Sequence, residues 1–376
     1  MVIDNKAQRL YDCLKQNIDE GINQGVFPSG IAAIHTGDQK PIIYARGFTE
    51  DTVFDLASLT KVMATLPAIL LAVQSGKTSL FDPVTKWIPE FASIHDPRRM
   101  QVTLFHLLTH TSGLPAWRPY FIRLKGKEDY LAAICNEPLI YSPSTDMVYS
   151  DLGFMLLGFI LERIWDMELE EVVSSLVLGP LGLHRTRYSP GASHWPIAPT
   201  EEGNPFEKNM AMLYLEDYEN GRLPDGAFAM SNEDIDTNRW REGIICGTVH
   251  DCNAHYGLGG ISGHAGLFSD IGDLLRYMDI WKQGSGDFLS DQTITNATLA
   301  HATSSARSRG LGWEILSNDT FGHTGFTGTS VWHNTTTETT CILLTNRVHP
   351  FVRMGIQEWR LQTRELLTSL LKGACS

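Results

Sequence analysis

Phe54-Asp55-Leu56-Ala57-Ser58-Leu59-Thr60-Lys61-Val62-Met63-Ala64-Thr65 passes from a short strand into a helix and sets a serine three residues before a lysine. That spacing brings Ser58 and Lys61 onto one helical face. A serine hydroxyl is a poor nucleophile at neutral pH and needs a base. A lysine near its unperturbed pKa of about 10.4 is protonated and cannot serve as one. Burial or a neighbouring positive charge would lower that value. The helix start would also favour negative charge developing on Ser58 and on a bound substrate. The SxxK pattern is weak by itself, because Ser369-Leu370-Leu371-Lys372 repeats it within an apparent terminal amphipathic helix. No G-x-S-x-G occurs, so an α/β-hydrolase nucleophile elbow is excluded.

Two further motifs give the first one meaning. Tyr149-Ser150-Asp151 precedes the apolar run Leu152-Gly153-Phe154-Met155-Leu156-Leu157-Gly158. A tyrosine there can bring its phenolic oxygen to Ser58 as base or proton shuttle, stabilised as phenolate or linked to Lys61. Asp151 could orient Lys61 or accept from a substrate amide. The bland alternative is a helix N-cap, for which Ser150 and Asp151 are both suited. His323-Thr324-Gly325-Phe326 begins a strand-like segment. Gly325 allows a ligand to approach the backbone closely, and the Phe326 amide paired with the Ser58 amide makes an oxyanion hole. His323 would hold a substrate carboxylate or assist proton transfer, with Thr324 and Gly325 beside it on the substrate; a satisfied structural histidine is the alternative. Together the motifs supply the parts for acyl transfer through a serine ester.

The flanking sequence indicates an α+β fold. Ala7, Leu10, Tyr11, Leu14, Ile18 and Ile22 recur at helical spacing. Gly30–Ile34 and Ile42–Ala45 flank His35-Thr36-Gly37-Asp38 as a hairpin. Toward the other end, Leu311–Leu316, Thr329–Trp332 and Cys341–Leu344 read as strands. A closing helix carries Ile356, Trp359, Leu366, Leu367 and Leu370 on one face. The economical arrangement joins residues 1–75 and 301–376 in one antiparallel sheet flanked by helices. Residues 76–300 are then a mostly helical insertion, with the active site between the two parts. A loop-rich stretch near 185–265 exceeds ordinary connections and suggests a functional loop or lid.

Composition narrows the function classes. Of 376 residues, 43% are hydrophobic and 19% charged, as in ordinary globular proteins. A formal net charge of −13, with no Lys/Arg-rich run, argues against nucleic acid as a partner. The longest apolar stretch, Leu152 to Leu161, is about half a membrane span and reads as a buried helix. Six cysteines, Cys13, Cys135, Cys246, Cys252, Cys341 and Cys375, are dispersed without a CxxC, so reduced thiols are expected. The opening MVIDNKAQRLYDCLKQNIDEGI lacks a basic region followed by an apolar one. This points to the cytoplasm, or to the periplasm if a signal has been removed.

A segment dense in glycine and polar groups, His250-Asp251-Cys252-Asn253-Ala254-His255 followed by Gly259–Phe268, is a structural turn or a cleft wall bearing His264 or Asp251. A zinc site from His250, Cys252, His255 and His264 matches no common ligand spacing. His110, in Thr109-His110-Thr111-Ser112-Gly113, reads as part of a structural loop near the site. Trp117, Arg118 and Tyr120 could rim the cleft, where Arg118 would meet an anionic substrate; a solvated surface position is the alternative for Arg118.

Phe54–Lys61, Leu107-Leu108-Thr109-His110-Thr111-Ser112-Gly113-Leu114-Pro115, Tyr149–Gly153 and Gly322–Gly328 together resemble, in order, the signatures of the serine β-lactamase and penicillin-binding-protein superfamily. The class C-like branch, which includes D,D-peptidases and esterases, is the nearest, and the likeness runs from Gly30 to about Trp332. It implies the β-lactamase/transpeptidase-like fold and an acyl-enzyme on Ser58, with Lys61 and Tyr149 moving the proton and water releasing the acyl group. No metal or organic cofactor is implied. Two departures stand out: Asp151 replaces the asparagine of the Tyr-x-Asn motif, and His323 replaces the lysine that commonly begins the third motif. Asparagine donates to an amide carbonyl, whereas ionised aspartate only accepts; lysine is a fixed cation, whereas histidine need not be charged. Both changes point away from carboxylate-bearing β-lactams, toward an esterase, amidase or peptidase acting on a small ester, a D-Ala-type peptide or a cell-wall-derived muropeptide. A catalytically silent penicillin-recognising scaffold is the competing expectation.

Overall fold

The computed structural model describes residues 5–191, 194–282, 288–304 and 307–373. The first strands are β1 (Gly30–Thr36), β2 (Ile42–Arg46), β3 (Phe54–Asp55), β4 (Arg187–Tyr188) and β5 (Leu267–Ser269). The later ones are β6 (Ala302–Thr303), β7 (Ser308–Arg309), β8 (Glu314–Ser317), β9 (Thr320–Thr324), β10 (Ser330–Asn334) and β11 (Thr339–Thr345). Eight of them form an antiparallel sheet in the order β2-β1-β11-β10-β9-β8-β7-β6. The two ends of the chain therefore share one sheet, with Gly30 opposite Thr345 and Thr36 opposite Thr339. β11 is buried along its whole length because both faces are covered by helices.

Five helices matter for the site: α1 (Asn5–Asn23), α2 (Leu66–Gln74), α3 (Asp151–Trp165), α4 (Pro205–Glu219) and α5 (Ile356–Gly373). Leu10, Leu14 and Ile18 of α1 pack with Ile356, Trp359 and Leu367 of α5 against one face of the sheet. α3 is apolar all round and correspondingly buried. Each of its large side chains, such as Leu152, Phe154 and Leu157, contributes about 1.5–3 kcal/mol by leaving water. Ser150 caps its start, its Oγ accepting from the Gly153 amide at 3.2 Å; Asp166, left-handed at φ 53°, ends it. No described helix is long and apolar enough to cross a membrane.

Several local expectations shift. Leu311–Leu316 is not one strand: the chain turns at Gly310–Trp313, where the Gly310 amide donates to the Trp313 carbonyl at 2.9 Å. Leu311 and Trp313 then plug the core, and a Cβ on Gly310 would lie 2.4 Å from the Ala297 oxygen. His323 lies near the end of a strand, not its beginning. Leu366 points to solvent at 44% exposure instead of sharing the buried face of α5. The stretch 185–265 holds α4 and a short helix, Asn232–Thr237, as well as loops. Cys13, Cys135, Cys246, Cys252 and Cys341 are free thiols, and Cys375 lies outside the described residues.

Candidate active site

β3 pairs with β5, and the chain then makes the turn that presents Ser58. Ala57 is left-handed at φ 46°, a conformation that costs an L-residue and persists only where its surroundings enforce it. The enforcing group is Asp55. One oxygen of its buried carboxylate accepts from the Ala57 amide at 2.8 Å, and the other accepts from the His250 amide at 2.7 Å. Ser58 sits just before the helix, and Lys61–Thr65 forms a π-helical turn that runs into α2.

Lys61 is fully buried, and its ammonium is the hub of the site. Nζ donates to Ser58 Oγ at 3.0 Å and to the His264 carbonyl at 3.1 Å. It is 2.7 Å from Asp151 Oδ1 and 4.9 Å from the centroid of the Tyr149 ring. Burial pulls the amine's pKa down, but its interactions with Asp151 and with Tyr149 outweigh it and the net displacement is upward. This reverses the sequence-based expectation of a depressed lysine. Burial does act as anticipated, but the carboxylate at position 151 overrides it.

Tyr149 sits in the extended segment that ends at the α3 N-cap. Its ring lies 4.5 Å from that of His110 and 6.0 Å from that of His323, with the Arg309 guanidinium 5.0 Å from its centroid. The Arg309 Nη1 and His323 Nε2 are buried without hydrogen bonds, as is the Tyr149 hydroxyl. Such a gathering of unsatisfied polar atoms is rare in a folded interior and marks functional places.

The third motif is stitched to the nucleophile turn. Thr327 Oγ1 donates to the Asp55 carbonyl at 2.6 Å, and Thr329 Oγ1 donates to that of Leu56 at 3.1 Å. A Cβ on Gly325 would lie 2.1 Å from Thr329 Oγ1 and 2.4 Å from the Leu56 oxygen, so only glycine permits the approach. Arg360 of α5 clamps this turn, donating to the carbonyls of Gly325 (3.0 Å) and Thr329 (2.6 Å). Arg347 donates to the Phe326 carbonyl at 2.7 Å and lies over its ring. Among the described residues, neither the Ser58 nor the Phe326 amide donates to a protein acceptor.

A cavity of about 400 Å³ opens here, and Ser58, Tyr149, Asp151, His323, Thr324, Gly325, Phe326 and Trp117 are all among its walls. The structure thus brings together nearly all of the residues expected to form the site. Arg118 is an exception: it is buried, with its guanidinium on Glu137 and on the Trp117 carbonyl, because that interior carboxylate needs a cation. Tyr120 is fully buried and donates to the same Glu137. His264 lies behind the wall, between Ser262 Oγ (2.7 Å) and Asp251 Oδ1 (3.1 Å); it is Asp251 that faces the cavity. The Asp251 carboxyl, despite burial, is held down to about 2 by His264. Gly263 permits this packing, since a Cβ there would lie 2.1 Å from the Phe154 carbonyl oxygen of α3. The four zinc candidates do not converge: His250 pairs with Glu201 at 2.8 Å and His264 with Asp251.

His323 lacks the fixed charge that a lysine at the start of the third motif would offer a carboxylate. Burial, then the charges of Arg309 and Lys61, push it well below the usual histidine range, so it is neutral. With Nδ1 placed as donor to the Thr324 carbonyl at 3.0 Å, Nε2 is left as an acceptor. Sequence reasoning assigned no role to Asp55, Glu207, Arg309 or Arg347. Glu207 lines the cavity beside Asp251, and burial and that neighbour's charge keep its carboxyl well above the usual range. No local pattern marks Glu207, Arg309 or Arg347, because only the tertiary fold brings them to the cavity; Asp55 stands within the first motif, but its partner His250 lies far along the chain.

Known proteins resemble this chain in sequence and in fold. The family model described as Beta-lactamase matches residues 14–363. A protein of Salmonella agona (strain SL483), named "Putative D-alanyl-D-alanine carboxypeptidase", is 32% identical over 331 residues, covering 80% of this chain and 71% of that one. EstCE1, described as a hydrolase with promiscuous acyltransferase activity, superposes with a TM-score of 0.71 at 21% identity, covering 96% of this chain and 98% of its own. A class C beta-lactamase superposes at 0.69 with 18% identity, covering 97% and 99%. The two superpositions speak for the fold, and the sequence matches go further: the chain belongs to the beta-lactamase family and is a serine hydrolase.

Proposed function

We propose that the protein cleaves an ester or amide through an acyl-enzyme on Ser58, with Tyr149 as general base. The observation that carries this reading is the placing of Lys61 Nζ, 3.0 Å from Ser58 Oγ, 2.7 Å from Asp151 and over the Tyr149 ring, buried behind the cavity wall that Ser58, Tyr149 and Asp151 form. Held as an ammonium, Lys61 cannot take the serine proton. It donates to Ser58 Oγ and lies over the Tyr149 ring, which leaves the Tyr149 oxygen as the acceptor of the serine proton. Ser58 Oγ attacks the carbonyl carbon as its proton passes to Tyr149. The oxyanion is received by the amides of Ser58 and Phe326, whose freedom from protein acceptors supports that role. Tyr149 returns the proton to the leaving oxygen or nitrogen, and water releases the acyl group by the reverse sequence. Asp151 orients Lys61, while Trp117, His323, Thr324 and Gly325 contact the substrate.

The site takes walls from both proposed parts of the chain: Ser58 and His323–Phe326 from residues 1–75 and 301–376, and Trp117, Tyr149, Glu207 and Asp251 from 76–300. The substrate is a small molecule or peptide: a small ester, a D-Ala-type peptide or a cell-wall-derived muropeptide, with weak β-lactam turnover. The name carried by the Salmonella relative favours the peptide. Intact-mass spectrometry after treatment with a fluorophosphonate or a penicillin tests the nucleophile. The native protein should gain one adduct and S58A none, and K61A should acylate at least about 10²-fold more slowly. An adduct that persists in S58A removes Ser58 from the reaction, and undiminished acylation in K61A removes Lys61.

A further inference from the structure

His110 lies outside the three motifs, yet the segment bearing Tyr149 is fastened to it on both sides. The Ser150 amide donates to His110 Nδ1 at 3.0 Å, and the Val148 amide donates to the His110 carbonyl at 3.0 Å. Tyr141 reinforces the second attachment. Its hydroxyl donates to the same carbonyl at 3.1 Å and accepts from the Val148 amide at 3.0 Å. Between these anchors the imidazole lies against the Tyr149 ring, with centroids 4.5 Å apart and planes 35° apart. His110 itself is left-handed at φ 60°, which turns its carbonyl and its side chain toward the same short segment.

We propose that His110 is a positioning residue for Tyr149: a neutral imidazole that fixes the phenol by holding the backbone on either side of it. The inference rests on the reading of Tyr149 as general base. Neutrality follows from the hydrogen bond, because Nδ1 must present a lone pair to the Ser150 amide. Burial, then the charges of Arg309 and Lys61, push His110 well below the usual histidine range and so maintain that state. Fixing residues 148 and 150 leaves the Tyr149 side chain little freedom to move away from Ser58. A reacting group displaced by about 1 Å loses on the order of 10²-fold in rate.

The test compares H110A, H110N and Y149F in steady-state hydrolysis of a p-nitrophenyl ester, with circular dichroism to confirm folding. Asparagine tolerates the left-handed conformation and presents an oxygen where Nδ1 stood. H110A should lose about 10²-fold in kcat with KM unchanged, and H110N should recover most of that loss. A purely structural role would lower stability without this split or this rescue. Folded H110A with native kcat overturns the proposal, as does folded H110N as impaired as H110A. If H110A does not fold, Y141F decides: it removes one brace only and should lower kcat at constant KM, and an unchanged kcat counts against the proposal. Y149F separates the two levels. Retention of kcat there refutes the role of Tyr149 itself, whereas inactive Y149F beside native-like H110A refutes the role of His110 alone.

Discussion

Replacing Asp151 with asparagine removes one charge from the centre of the site and almost nothing else. Asp151 is the first residue of α3, and its Oδ1 lies 2.7 Å from the fully buried Lys61 ammonium. An asparagine there keeps the shape but cannot neutralise a cation. Removing one partner of a buried ion pair costs about 3–5 kcal/mol. Lys61 can relieve part of this by releasing its proton, so a loss near the lower end, about 3 kcal/mol, is expected at neutral pH. The sign with pH follows from the native lysine. Its folded pKa is raised above the unfolded one, so its contribution to stability is fully present below about pH 10.4 and fades as pH climbs through the folded value. In D151N one raising influence is gone and burial, the lowering one, remains. The alkaline limb of the pH–rate profile, where the ammonium is lost, should therefore move to lower pH. Urea unfolding at pH 7 and ester turnover across pH 6–11 measure the two effects. A variant within about 0.5 kcal/mol of the native protein, with its alkaline limb in place, would refute the view that Asp151 keeps Lys61 charged.

Two more substitutions probe the third motif. H323K places a permanent cation where a neutral imidazole now stands. A charged hydrogen bond to a carboxylate is worth about 1.5–3 kcal/mol, so turnover of carboxylate-bearing β-lactams relative to neutral esters should rise about 10-fold or more; an unchanged ratio would mean that position 323 does not set carboxylate preference. G325A pushes a Cβ against Thr329 Oγ1 and the Leu56 carbonyl. Such overpacking costs about 1–3 kcal/mol, and a thermal scan should show it alongside slowed acylation. Full stability and activity in G325A would show that the turn can move apart from the nucleophile.

The sequence carried the site better than it carried the strands around it. Ser58, Lys61, Tyr149 and the His323–Phe326 run were legible because each belongs to a short motif whose chemistry is local. Gly30–Ile34 and Ile42–Ala45 were legible because apolar residues flank an obvious turn. Leu311–Leu316 misled because its apolar residues fill the core from a turn, which strand patterning cannot distinguish from a sheet position. The charge state of Lys61 could not be read without knowing that Asp151 approaches to 2.7 Å. Arg118 resembled a cleft residue until Glu137, nineteen positions on, proved to be its partner. Asp55 stood within the first motif, but its grip on the His250 amide joins residues 195 positions apart, a relation no window of sequence contains.

The hold of Arg360 on Gly325 and Thr329 bears on how the enzyme comes to life on the ribosome. By the time residue 300 has been added, the serine, lysine and tyrosine have all been made, but the turn proposed to receive the oxyanion has not. That turn is secured only when the helix Ile356–Gly373 docks against it. A polypeptide that stops short of residue 356 would thus carry the reactive groups without the means to use them, and hydrolysis would begin only after that helix has been made and has docked.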